Sequence, residues 1–137
     1  MVSPSDDALV ALAVQARTRA HAPYSHYAVG AAVLGASGRV FSGCNVEISS
    51  YSLTCCAERV AVFKAISEGE TRLLAVAVVT EDDPPASPCG ACRQVLYDFG
   101  GAELRVLVGH PGGGVARDWT LGELLPAAFG PDNLLGR

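Results

Sequence analysis

Two short segments of this 137-residue chain concentrate groups able to hold a metal or move a proton. They are Cys56-Ala57-Glu58-Arg59 and, 33 residues further on, Cys89-Gly90-Ala91-Cys92. A C-x-x-C alone has three readings: half of a zinc site, a redox dithiol, or chance. If a helix starts there, both sulfurs lie on one face of its first turn. The helix dipole then stabilises thiolates, which serves metal binding and redox chemistry equally. Glu58 adds weight on one side, as an acid inside an otherwise apolar segment. Burying a carboxylate without a partner costs several kcal/mol, so the position calls for a reason. A salt bridge or a solvated helix end is the plain reason; a general acid–base beside a metal is the sharper one.

Geometry narrows the choice. Residues two apart on a helix point about 200° away from each other. Cys56 and Glu58 can serve one site only if it lies off the helix's amino end. Two helices meeting amino end to amino end would gather Cys56, Cys89 and Cys92 around one ion. Three protein ligands on tetrahedral zinc leave a position for water, the arrangement of catalytic zinc. Zn²⁺ with three thiolates carries a formal charge of −1, so something must draw electron density back. Two helix amino ends do so, and Arg59 is a candidate donor to a ligand sulfur. Its plain alternative is a surface cation.

The surrounding pattern predicts the elements that would hold these groups. Leu9, Leu12, Ala13, Ala16 and Ala20 recur at the spacing of one helix face, with Ser5 and two aspartates at its start. Val29–Leu34 and Val40–Asn45 read as a hairpin around Gly35-Ala36-Ser37-Gly38. Residues 56–67 are apolar on nearly every side and predict a buried helix, with Thr54 as N-cap. Leu73–Thr80 predicts a strand covered on both faces, and the proline-rich stretch from Asp82 to Pro88 a loop. A further helix opens near Cys89, with Cys92, Val95, Leu96 and Phe99 inward, and ends at Gly100-Gly101. Leu104–Val108 reads as a strand, Gly112–Gly114 as a turn, and Thr120 with Glu123 as a capping box before a short helix. The order implies an α/β fold, one mixed sheet flanked by helices, in a single domain over residues 1–137.

Composition excludes other classes. Half the residues are hydrophobic and 18% charged, with a mean hydropathy of +0.29, which describes a large core and not a disordered chain. A net charge of −4 disfavours nucleic acid or anionic lipid as a partner. The longest aliphatic run, Leu73 to Val79, is far short of the roughly 18 residues of a membrane span. The amino terminus carries no export-signal pattern, and five cysteines are an odd number for a disulfide framework. A cytoplasmic protein with reduced thiols is expected.

With these motifs in hand, the chain resembles the cytidine deaminases, specifically the small three-cysteine zinc type. Thr54-Cys55-Cys56-Ala57-Glu58-Arg59 matches that family's T-x-C-A-E-R, and Pro88 to Leu96 matches P-C-G-x-C-R-Q-V-L. Ala22-Pro23-Tyr24-Ser25, Gly43-Cys44-Asn45-Val46-Glu47 and Leu124-Leu125-Pro126 with Phe129 match as well. The resemblance implies a three-layer α/β/α fold, a homotetramer, one Zn²⁺ per subunit, and hydrolytic deamination of cytidine and deoxycytidine to the uracil nucleosides. It implies that Cys56, Cys89 and Cys92 hold zinc and that Glu58 shuttles protons. It also implies that Asn45 and Glu47 bond the ribose, that Ala57 offers its backbone to the base edge, and that Phe129 closes over a neighbouring subunit's site. Spacing agrees for Asn45 and Glu47, since residues two apart on a strand share a face. An amide and a carboxylate suit neutral hydroxyls and could not attract a phosphate, which favours a nucleoside.

Tyr27 stands where the family usually has a phenylalanine against the base, and a phenol can still stack. Cys55 and Cys44 read as small buried hydrophobes. His21, His26 and His110 have no ligand spacing. Three other readings compete: a deaminase of another aminopyrimidine nucleoside such as the blasticidin type, a thioredoxin-like dithiol protein, and a closed structural zinc module with Cys44 or Cys55 as fourth ligand.

Overall fold

The computed structural model describes residues 3–135. Helix α1 (Asp6–Arg17) is capped by Ser5, whose hydroxyl accepts from the Ala8 N–H, and carries Asp6 and Asp7 in its first turn. Strands β1 (Gly30–Gly35) and β2 (Val40–Cys44) form the expected hairpin. Helix α2 (Ala57–Ser67), strand β3 (Leu73–Val79), helix α3 (Gly90–Gly100) and strand β4 (Arg105–Gly109) follow. Strand β5 (Val115–Thr120), α4 (Leu121–Leu124) and α5 (Pro131–Leu135) complete the described chain, with a 3₁₀ turn at Tyr51–Leu53.

The sheet runs β2-β1-β3-β4-β5. The β3–β4 pair is parallel and the others antiparallel, so the sheet is mixed. Period-two alternation divides its side chains between two cores. Ala31, Val33, Val76, Val78, Val106 and Val108 face α2 and α3, while Ala32, Leu34, Ala75, Ala77, Val79 and Leu107 face α1. This is the expected α/β/α sandwich. Each fully buried aliphatic side chain, such as Leu96 at 0% exposure, stabilises it by roughly 1.5–3 kcal/mol.

Some expectations shift. Leu12 is 37% exposed and Val10 takes its place in the core. Thr54 does not cap α2: its hydroxyl accepts from the Ile48 N–H, and Cys56 occupies the cap position. Phe63 opens one side of α2 to solvent. The strand β5 and the helix α5 were not foreseen.

Two features aim the helices at one place. Gly43 of β2 lies under α2, where an added Cβ would meet the Ala61 nitrogen at 2.7 Å and the Ala57 carbonyl at 2.8 Å. Glycine therefore lets the first turn of α2 lie directly on the sheet. The connection from β3 to α3 brings the amino end of α3 back over the carboxyl end of β3, where α/β sheets commonly bind ligands.

Candidate metal centre and substrate cavity

Cys56 is the N-cap residue of α2, Cys89 that of α3, and Cys92 sits in the first turn of α3. The two helices do meet amino end to amino end. Their three sulfurs lie within 4.8 Å of one another, with Cys56 and Cys89 Sγ 4.0 Å apart. Zn–S bonds of about 2.3 Å in a tetrahedron put sulfurs about 3.8 Å apart, so this trio fits zinc with little adjustment. Among the described residues this is the one such metal-holding group. Neither Cys44 nor Cys55 joins it; the Cys44 thiol bonds the Arg19 carbonyl at 3.4 Å. The fourth ligand of a closed structural site is therefore missing, and a dithiol protein would have no use for the third sulfur.

Arg59 Nη2 donates to Cys56 Sγ at 3.3 Å, which places a guanidinium beside the sulfur trio. Its Nε is buried with no partner. Hydrogen bonding from Cys92, and then from Arg59, holds the Cys56 thiol well below the ordinary range. The same bond to Cys56, reinforced by burial, pushes Cys92 up. Burial likewise raises the Cys55 thiol, whose backbone pairs in both directions with Val46.

Glu58 follows Cys56 by two residues and is 5% exposed. Burial pushes its carboxyl up to about 7. It opens onto a cavity of about 500 Å³ whose wall also includes Cys56, Cys89, Ala57, Asn45, Glu47 and Tyr27. Cys92 lies behind that wall, fully buried. Phe129 does not line the cavity of its own chain and is 57% exposed.

Asn45 and Glu47 extend β2 as a strand-like segment pinned on both sides, between His21 and Cys55. Their side chains also shape the wall. Asn45 accepts from the Val29 N–H at 2.9 Å and donates to the Tyr27 carbonyl at 2.7 Å. Glu47 accepts from the Tyr24 and Ser25 N–H groups and from the Ser25 hydroxyl, which holds its carboxyl below the usual range. Tyr27 donates its hydroxyl to Asp82. None of the three histidines joins the sulfur cluster. Ser25, Thr54, Val78, Thr80, Ala86 and Ser87 also line the cavity, and no spacing signal placed them there.

An α/β/α protein with an open-type zinc centre and a buried acid beside it belongs, on geometry, among the zinc hydrolases. Comparison with known proteins makes the class specific. The cytidine and deoxycytidylate deaminase zinc-binding region matches residues 3–108. The chain is 52% identical over 122 residues to cytidine deaminase of Mycobacterium tuberculosis, covering 89% of this chain and 87% of that protein. It is 46% identical over 126 residues to cytidine deaminase of Halalkalibacterium halodurans, covering 92% of this chain and 95% of the other. The crystal structure of cytidine deaminase from Burkholderia pseudomallei superposes with a TM-score of 0.87 at 46% identity, covering 92% of this chain and all of that one. The chain belongs to the cytidine and deoxycytidylate deaminase zinc-binding family. Its cofactor is zinc, one per subunit.

Proposed function

We propose that this protein hydrolytically deaminates cytidine and deoxycytidine to the uracil nucleosides, releasing ammonia. One observation carries the reading: the buried Glu58 carboxyl, two sulfurs of the trio and the Asn45/Glu47 pair all line a single nucleoside-sized cavity, with the third sulfur, Cys92, directly behind them. Zinc held by Cys56, Cys89 and Cys92 supplies a Lewis acid that brings the pKa of water toward neutrality. Glu58 takes the proton of the attacking water and delivers it to the ring nitrogen, making C4 electrophilic. The water oxygen bonds to C4, and Glu58 then takes the remaining proton of that new hydroxyl and passes it to the amino group, which leaves as ammonia as the C4 carbonyl forms. Arg59 balances the charge on the sulfurs. Asn45 and Glu47, with lone pairs left over from their backbone bonds, accept the ribose hydroxyls. The Ala57 backbone addresses the base edge, and the Tyr27 ring lies against the base.

The enzyme acts as a cytoplasmic homotetramer in which Phe129 closes a neighbour's cavity. Support comes from apolar exposure: Phe129, Phe63, Tyr51 and Leu53 all lie open on one chain. Beside the main cavity, a hollow of about 320 Å³ between Tyr24 and Tyr51 shares Ser25, Glu47 and Thr54 with it, leaving an open side for a second chain. Among the described residues no helix is long and apolar enough to cross a membrane.

The test is ammonia release from cytidine before and after zinc removal. Chelation should abolish turnover and added zinc should restore it, with the circular dichroism spectrum preserved, because the apolar core folds without metal. A zinc-loaded protein inert toward cytidine and deoxycytidine would end the proposal.

A further inference from the structure

Arg93 follows Cys92 on α3, and its guanidinium is spent entirely on neutral acceptors. Nε donates to the Pro88 carbonyl at 2.6 Å, Nη2 to the Ser87 hydroxyl at 2.6 Å, and Nη1 to the Leu124 carbonyl at 2.7 Å. None of the ion pairs among the described residues involves it. The acceptors belong to two separate segments. Ser87 lines the cavity and Pro88 precedes the ligand Cys89, whereas Leu124 ends α4. The next residue, Gln94, donates to the Phe129 carbonyl at 2.8 Å. Consecutive residues of α3 thus hold both ends of the stretch from Leu124 to Phe129.

We propose that Arg93 is a positioning residue of this site: it fixes the cavity wall at Ser87, holds the Pro88 carbonyl just before Cys89 and, through Leu124, seats the segment that presents Phe129. The inference rests on the cavity being the nucleoside site. Arginine suits the task because its planar fork reaches acceptors on both segments in fixed directions, which a lysine ammonium cannot do. A wall that shifts weakens the ground-state and transition-state contacts alike, so bracing of this kind acts on KM more than on kcat.

The test compares zinc-loaded Arg93→Met and Arg93→Lys with the wild type. The Met variant should raise KM for cytidine about tenfold with kcat changed less than about threefold, the sign of lost binding geometry, and Lys should fall between. Zinc should stay at one per chain. Amide hydrogen exchange should quicken together over residues 86–89 and 122–130, with β1 and β2 unaffected. Wild-type KM in the Met variant, exchange that quickens in one segment alone, or activity loss that tracks zinc loss would overturn the proposal. If the Met variant does not fold, Ser87→Ala removes one of the three bonds. It should raise KM about threefold and quicken exchange at 86–89, and no change in either sinks the idea. A wild-type chain that held zinc but released no ammonia would remove the nucleoside reading, while the exchange result would still decide the bracing role.

Discussion

Tyr27 is where this chain departs from the phenylalanine its family usually carries, and Tyr27→Phe isolates the consequence. The change deletes one hydroxyl and leaves the ring. What is lost is the bond from the phenol to Asp82, an acid that also receives the Thr80 hydroxyl at 3.4 Å. Hydrogen bonds to charged groups contribute about 1.5–3 kcal/mol, and Asp82 is only half-buried, so water recovers part of it. The expected loss is about 1 kcal/mol, or about 4 °C in Tm for a chain of this length. Because Asp82 is not part of the cavity wall while Tyr27 is, KM for cytidine should rise by no more than about threefold.

The pH dependence gives the sharper check. Burial, and then the bond to Asp82, raises the phenol above its ordinary value of 10.0. A folded pKa above the unfolded one means that the stability is fully present below the unfolded value and lost as pH rises through the folded one. The Tm gap between wild type and Tyr27→Phe should therefore hold steady from about pH 6 to pH 9 and narrow only above about pH 10. Melting curves across that range measure it. Coincident curves for the two proteins would show that the hydroxyl and Asp82 part in solution, and the anchoring argument would fall.

Glu58→Gln should keep zinc and fold but lower kcat by about 10⁴-fold or more, since two proton transfers lose their carrier; near-normal turnover would remove Glu58 from the role. Arg59→Gln should retain the metal and slow turnover by about 10–100-fold, measured alongside zinc content. Gly43→Ala forces α2 off β2, where the new Cβ would sit 2.7 Å from the Ala61 nitrogen. It should cost about 1–3 kcal/mol in urea denaturation and depress kcat through the shifted first turn that bears Glu58. For Glu47, whose carboxyl is held low mainly by Ser25, the stabilising contribution is present above the ordinary carboxylate range and lost as pH falls through the folded value. The Tm advantage of wild type over Glu47→Gln should accordingly shrink on acidification.

The zinc centre was legible from sequence because its logic is local. Cysteines at i and i+3 of a helix start and an acid two residues after a cysteine that begins a helix each constrain the site through geometry that one turn of helix supplies. Strand β5 was not legible, because its side chains are almost all exposed and carry no apolar alternation. What orders it is pairing with β4 across the chain, and Arg117 lies over the Trp119 ring at 4.4 Å. The Arg93 contacts are hidden for a related reason. One partner lies 31 residues away, and all three acceptors are backbone carbonyls or a hydroxyl that no pattern marks. Asn45 and Glu47 fall between these cases. Their shared face follows from strand periodicity, but the bonds that Asn45 accepts from Val29 and donates to Tyr27, and that Glu47 accepts from Ser25, depend on a loop some twenty residues upstream. The groups assigned to the ribose therefore also build the wall on which the base would rest. Removing either side chain would move Tyr27 or Ser25 as well as delete a contact, so the kinetic loss at these two positions should exceed that of one hydrogen bond.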